Sequence, residues 1–220
     1  MKSVPVKRTT PAYWDDAVRE LAAGDAVMAG LVQRHGGGLV CRGDPFTTLA
    51  RAIVGQQISV KAADAVWGRF VARLAEVEGR AAAAPTPAQV LAVEGDGLAA
   101  CGLSRRKADY LRDLARHFDD GELDPHRWRV MDDAAVIAEL TRVRGIGRWT
   151  AEMFLIFNLL RPDVYPLQDL GLVRAIRLHY FAGEAASLAE LAEFGERWRP
   201  WRTVATWYLW RSLDPLPVEY

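Results

Sequence analysis

Asp169 and the glycine pair Gly145 and Gly147 are the residues of this chain whose types and settings suit chemistry. Asp169 follows Pro166 and opens the apolar-periodic stretch Leu170 to Tyr180, a setting in which aspartate commonly caps a helix by accepting its first N–H groups. A carboxylate in that position is also held ionised and fixed in direction by the positive end of the helix. Such an anion suits a reaction in which positive charge develops, and it can orient or deprotonate a water. Residue type and spacing leave both uses open. The tripeptide Gly145-Ile146-Gly147 lies between two apolar-periodic segments. Glycine accepts positive φ and close backbone approach, so the pair suits a tight helix-to-helix turn. The N–H groups that begin the next helix have no acceptor within it, and such groups attract an anion such as phosphate. By itself the tripeptide fits a plain loop as well as a phosphate site.

The elements that must hold these residues are helical. Half of the 220 residues are apolar, Ala, Leu, Arg and Glu are abundant, and alternating β-branched runs are nearly absent, which predicts an all-α chain. Its length suits one large domain or two small ones sharing a cleft. A polar arm with Lys2, Lys7 and Arg8 precedes a helix from Pro11 to Leu21 and a second from Asp25 to Arg34. Gly36-Gly37-Gly38 then marks a hairpin tip or a boundary between subdomains. Asp44-Pro45 starts a helix with Leu49, Ile53 and Val54 on one face. It meets Gly55-Gln56-Gln57-Ile58-Ser59, where the two amides can satisfy buried backbone groups and Ser59 caps a helix from Lys61 to Leu74. After an alanine linker from Ala81, Thr86-Pro87 opens a short helix to Val93. Ser104 caps a helix from Arg105 to Phe118, whose first turn carries Arg105, Arg106 and Lys107 against the helix dipole. Solvation and a phosphate contact both account for these cations. Asp132-Asp133 start the helix that feeds the glycine turn.

Composition removes several classes. The net charge is zero, which argues against coating nucleic acid by bulk electrostatics, so any such contact must rest on local charge. Arg142, Arg144, Arg148, Arg174 and Arg177 cluster in and after the glycine turn, with acids such as Asp119, Asp120, Glu122 and Asp124 elsewhere. Cys41 and Cys101 are the only cysteines, too few for an iron–sulfur cluster, and no zinc-ligand spacing is present. The N-terminus lacks a secretory apolar core, and the longest apolar run, Met153 to Leu160 with one Asn, falls far short of the roughly 20 residues needed to span a bilayer. A cytoplasmic chain with no membrane partner is expected.

The wider stretch Val143 to Glu152, Val-Arg-Gly-Ile-Gly-Arg-Trp-Thr-Ala-Glu, resembles the hairpin of the helix-hairpin-helix DNA glycosylases. Tyr165 to Gly171 is similar to their catalytic aspartate segment, and Ala52 to Val60 and Glu196 to Arg202 match further segments in the same order. The nearest branch is that of alkylation repair, DNA-3-methyladenine glycosylase II, and the resemblance runs from Phe46 to Trp210. It implies two helical subdomains flanking a cleft, a central one at 45–161 that holds the hairpin and a second built from 1–44 and 162–220. The implied function is a monomeric, monofunctional glycosylase that flips an alkylated purine out of damaged duplex DNA and hydrolyses its N-glycosidic bond. Asp169 would be the catalytic carboxylate, and a purine already carrying positive charge can leave without a second acid.

The same resemblance assigns the remaining residues. Trp149 stands where strand-nicking relatives have a nucleophilic lysine, and no lysine follows Lys107, so base excision without lyase chemistry is implied. Trp149 and Trp210 would border the base, an indole face attracting a cationic purine. Met153 and Leu170 stand where relatives can carry tyrosines, which implies a more open pocket. Gln57 falls at the wedge position that fills the gap left by an extruded nucleotide. Gln56, Gln57, Ser59, Gly145, Gly147, Arg148 and Thr150 would contact DNA. The carbonyls of Thr141, Val143 and Gly145 would hold a monovalent cation, sodium or potassium, and the chemistry needs no other cofactor. Trp198 and Trp201 are read as structural. A glycosylase for oxidised or deaminated purines, and a hairpin module that binds DNA without catalysis, are the alternatives.

Overall fold

The computed structural model describes residues 10–78 and 84–213, so the basic N-terminal arm and the linker residues Ala81 to Ala83 lie outside it. The described residues contain no strand, and their α-helices are α1 (Trp14–Gly24), α2 (Ala26–Arg34), α3 (Pro45–Gly55), α4 (Val60–Glu78), α5 (Pro87–Ala92), α6 (Arg105–Asp119), α7 (Asp133–Leu140), α8 (Arg148–Phe157), α9 (Leu170–Tyr180), α10 (Leu188–Phe194) and α11 (Arg202–Leu213). The expected all-α class is what is found. The caps read from sequence are in place: Asp44 accepts from Thr47 N–H at 3.0 Å, Ser59 from Ala62 N–H at 3.3 Å, Ser104 from Lys107 N–H at 3.2 Å and Asp132 from Ala135 N–H at 2.7 Å. Thr86 and Gln89 form a reciprocal capping box at the start of α5.

The chain divides into two compact units. One contains the described residues up to Arg42 and from Leu155 onward, and the other is Gly43–Phe154. The second boundary therefore falls inside α8, and residues 155–161, expected in the central part, belong with the chain ends. Gly36-Gly37-Gly38 is not the boundary, because it lies within the first unit, between helices, with Gly37 at φ +104°. A side chain on Gly38 would meet Thr10 at 2.5 Å and the Trp14 indole at 3.1 Å, so the glycine lets the backbone pass against a buried ring.

In the unit built from the chain ends, α11 packs against α1, α2 and α9. It buries Val204, Ala205, Tyr208 and Leu209, which pack in a core with Trp14, Met28, Leu31, Leu172 and Ile176. Thr203 is fully buried and satisfied, donating to Arg161 C=O at 2.6 Å and accepting from Val164 N–H at 2.9 Å. Asp25 ties the unit together. Its Oδ1 caps α2 by accepting from Val27 N–H at 2.9 Å and Met28 N–H at 3.1 Å. Its Oδ2 accepts from the Tyr180 hydroxyl at 2.9 Å and the Trp198 indole at 3.1 Å. Tyr180, Phe194 and Trp198 stack edge-to-face around that carboxylate, and Trp198 is structural as expected.

In the other unit, α6 packs against α3 and α5, and α3 against α4. Phe46, Phe118, Trp128 and Phe154 form an edge-to-face chain through its core, with ring centroids 5.2–6.0 Å apart. The Trp128 N–H donates to Glu139 at 2.9 Å, so that indole is buried without leaving its donor unpaired.

Replacing Asp25 removes a cap and strands two aromatic donors at once. Asp25→Ala is expected to lower unfolding free energy by about 3 kcal/mol in urea melts, and a loss under about 1 kcal/mol would show that the carboxylate does not tie the helices together.

Candidate functional site

Asp169 is the N-cap of α9, with φ −79° and ψ 114°, as the sequence predicts. Its Oδ1 accepts from Leu172 N–H at 2.7 Å and from the Trp210 indole N–H at 2.8 Å. A backbone donor from α9 and a ring donor from α11 thus fix the carboxylate in direction. Gly171 makes room for this pairing: a side chain there would come within 3.1 Å of Asp169 Oδ1 and 3.5 Å of the Trp210 ring. Trp210 itself stacks on Phe157, centroids 5.9 Å apart and planes 13° apart, and the Arg42 guanidinium lies 3.9 Å from the Phe157 ring centre. Trp210 is half-buried, and Leu170 is 84% exposed beside the carboxylate. Phe157 and Arg42 were not singled out in the sequence, since an apolar residue in an apolar helix and a lone arginine carry no signal of this stack.

The glycine turn joins α7 to α8 in the other unit. Gly145 adopts φ +88°, and a side chain there would stand 2.1 Å from the Tyr110 ring, so only glycine fits. Gly147 differs: its φ is ordinary and a side chain would meet nothing within 4 Å. The space beside it, at the start of α8, suits an anion held by backbone N–H groups. Asp113 on α6 braces the turn by accepting from Arg144 N–H at 2.9 Å and Arg144 Nε at 3.2 Å.

The glutamine loop reaches the same turn. Gln56 Nε2 donates to Gly145 C=O at 2.8 Å. Gln57 is exposed and adopts φ +59°, a left-handed conformation that costs an ordinary residue of order 1 kcal/mol and tends to persist where the surroundings enforce it. Ser59 and the apolar Ile58 and Val60 beside it are exposed as well. On α8, Trp149 is half-buried and Met153 is 9% exposed one turn later. The expected site residues thus form two groups, Asp169, Leu170 and Trp210 in one unit and the rest in the other.

Several expectations need correction. Thr150 is 8% exposed, so little of it is open to a ligand. The arginines of the turn are not set apart from the acids: Arg142 pairs with Glu122 at 2.7 Å, Arg144 with Asp113 at 3.2 Å and Arg148 with Glu152 at 2.9 Å. Glu152 is buried, which pushes its carboxyl above the usual range while Arg148 pulls it back. Lys107 is neither simply solvated nor extended toward a phosphate, because its ammonium donates to Val54 C=O at 2.8 Å and Gln56 C=O at 2.7 Å. Among the carbonyls expected to hold a cation, Val143 accepts from Ile146 N–H at 3.1 Å and Gly145 from Gln56. A carbonyl oxygen has two lone pairs, so these uncharged oxygens still suit an alkali ion. No helix of the described residues is long and apolar enough to cross a membrane.

Comparison with known proteins adds to this geometry. A family model described as HhH-GPD superfamily base excision DNA repair protein matches residues 50–200. The chain is 34% identical over 171 residues to a Schizosaccharomyces pombe protein named DNA-3-methyladenine glycosylase 1, covering 77% of this chain and 72% of that one. The crystal structure of a DNA-3-methyladenine glycosidase from Bacillus halodurans matches with a TM-score of 0.80 and 35% identity, over 93% of this chain and 92% of that one. A Schizosaccharomyces pombe 3-methyladenine DNA glycosylase in complex with abasic DNA matches with a TM-score of 0.74 and 30% identity, over 93% and 99% of the two chains.

The two glycines of the turn are expected to respond differently to the same change. Gly145→Ala should cost about 2 kcal/mol or more through the Tyr110 clash and the positive φ, whereas Gly147→Ala should stay within about 0.5 kcal/mol of the parent in thermal melts. Equal losses would show that the fold, rather than the space beside it, demands the second glycine.

Proposed function

The chain belongs to the HhH-GPD superfamily of base excision DNA repair proteins, and from that premise we propose that it is a monofunctional DNA glycosylase that extrudes alkylated purines of the 3-methyladenine type from duplex DNA and hydrolyses their N-glycosidic bond. The observation that carries the reading is the Asp169 carboxylate, held by Leu172 N–H and the Trp210 indole N–H on one oxygen. As the bond from C1′ to the purine nitrogen breaks, the bonding electrons leave with the base and the sugar becomes an oxocarbenium ion. An alkylated purine already carries positive charge and departs neutral, so no protonating acid is needed. A fixed anion beside the sugar stabilises that transition state more than the ground state, which is what accelerates the step. Water then adds to C1′, and its proton passes to the same carboxylate.

Selection follows from the rings. Trp210 and Trp149 would each offer an indole face to a cationic base, an attraction worth up to about 2 kcal/mol when desolvated. Met153 and Leu170 would each present less ring surface to the base than an aromatic side chain in the same place. Trp149 in the hairpin and the lack of any lysine after Lys107 support excision without a Schiff-base intermediate. Gly147, Arg148 and the N–H of Thr150 would grip a phosphate, while Gln57 enters the stack. Thr141, Val143 and Gly145 would hold a monovalent cation through their carbonyls, and its charge would offset that of the phosphate.

Asp169→Asn keeps the shape and the cap but removes the charge. It is expected to fold and bind abasic DNA like the parent while release of 3-methyladenine from methylated DNA falls about a hundred-fold or more. Trp210→Phe, which keeps a ring but loses the N–H, should give a smaller loss of about ten-fold. Mass analysis of freed bases across alkylated, oxidised and deaminated duplexes, with borohydride trapping for a covalent adduct, checks both substrate and lyase chemistry. Unchanged release by Asp169→Asn, release of oxidised bases alone, or a trapped adduct would each contradict the proposal.

A further inference from the structure

The C-terminal end of α3 and the glutamine loop after it are held by a side chain from another helix. Within the loop, Gln56 N–H bonds Ile53 C=O at 3.4 Å and Ile58 N–H bonds Gly55 C=O at 3.4 Å. The carbonyls of Val54 and Gln56 are both taken by Lys107 Nζ, at 2.8 and 2.7 Å. Helix ends leave such carbonyls without intrahelical donors, and a cation at that negative end is doubly suited. The same lysine stands in the first turn of α6, where the dipole disfavours a cation and where solvation alone gives no reason for it. Burial and Arg106 both push its ammonium below the usual lysine range, so the contact forms despite a cost.

Lys107, Tyr110 and Asp113 recur three residues apart, one stripe of α6. Lys107 holds the glutamine loop, Tyr110 lies under Gly145, and Asp113 caps Arg144 N–H. Gln56 Nε2 closes the circuit by donating to Gly145 C=O at 2.8 Å. We propose that Lys107 is a positioning residue for base extrusion: it fixes the glutamine loop to the face of α6 that braces the glycine turn, so that Gln57 meets the stack at a set distance from the gripped phosphate. The strained φ of Gln57 is enforced by this clamp. This inference rests on the glycosylase reading for its purpose, but not for its test.

The test uses the full chain and a duplex carrying 2-aminopurine opposite a tetrahydrofuran abasic site, whose fluorescence rises when the stack is opened. Lys107→Met should retain the parent's affinity for undamaged duplex within about two-fold, since that affinity comes from phosphate contacts. Its fluorescence rise and its single-turnover base release should both fall about ten-fold, because the wedge is displaced. Lys107→Cys in a Cys41→Ser background, alkylated with 2-bromoethylamine to rebuild an ammonium, should recover both. Parent-like fluorescence from folded Lys107→Met overturns the proposal, and so does a loss that only tracks the unfolded fraction by circular dichroism or that alkylation does not recover. Should Lys107→Met fail to fold, Lys107→Gln, whose shorter neutral amide cannot reach both carbonyls, carries the same test, with parent-like fluorescence overturning it. A parent chain that opens the stack yet releases no methylated base would sink the glycosylase reading and leave the positioning role standing.

Discussion

A carboxylate gripped by two N–H groups on one oxygen is the constraint on which the unit built from the chain ends depends. Asp169 takes Leu172 N–H because it begins α9, and takes the Trp210 indole because α11 lies against α9. A side chain on Gly171 would stand 3.1 Å from the carboxylate oxygen and in ordinary contact with the ring, and Phe157 stacks on that ring. Asp25 in the same unit makes an instructive contrast. It too caps a helix and accepts from an indole, and it also accepts from the Tyr180 hydroxyl, so it joins α2 to α9 and to Trp198.

The other unit meets a different demand, which is to present backbone rather than charge. Its turn arginines are paired with acids, in keeping with a chain of zero net charge, so bulk attraction is weak and the proposed grip would come from the start of α8 and the space at Gly147. α6 serves as the common backing, with one stripe of side chains under both the glutamine loop and the glycine turn. A backbone grip of this kind positions a duplex without reading its sequence, which suits an enzyme that must find damage in any context.

Much of this was legible in the chain, and the pattern of what was not is physical. Caps at Asp44, Ser59, Ser104, Asp132 and Asp169 follow from local rules, and so do the helices they start. Gly145 follows from its turn. The indole partners of Asp25 and Asp169 lie 173 and 41 residues away, and nothing local separates the two aspartates. Lys107 was unreadable for a related reason: its partners are main-chain carbonyls more than 50 residues earlier, which leave no mark on side-chain pattern. The arginine pairs and the burial of Thr150 likewise depend on which face each residue turns inward. Family resemblance supplied the role proposed for Asp169, and the fold shows what fixes its carboxylate in direction.

The central claim is that this carboxylate stabilises a cationic sugar, and its most direct measure is affinity for a charged mimic. Duplex containing a pyrrolidine, protonated where the oxocarbenium would bear its charge, can be compared with duplex containing neutral tetrahydrofuran. The parent is expected to bind the charged analogue about a hundred-fold more tightly, and Asp169→Asn to lose that preference while keeping its affinity for the neutral one. Equal affinities in the parent, or a preference that survives in Asp169→Asn, would contradict it.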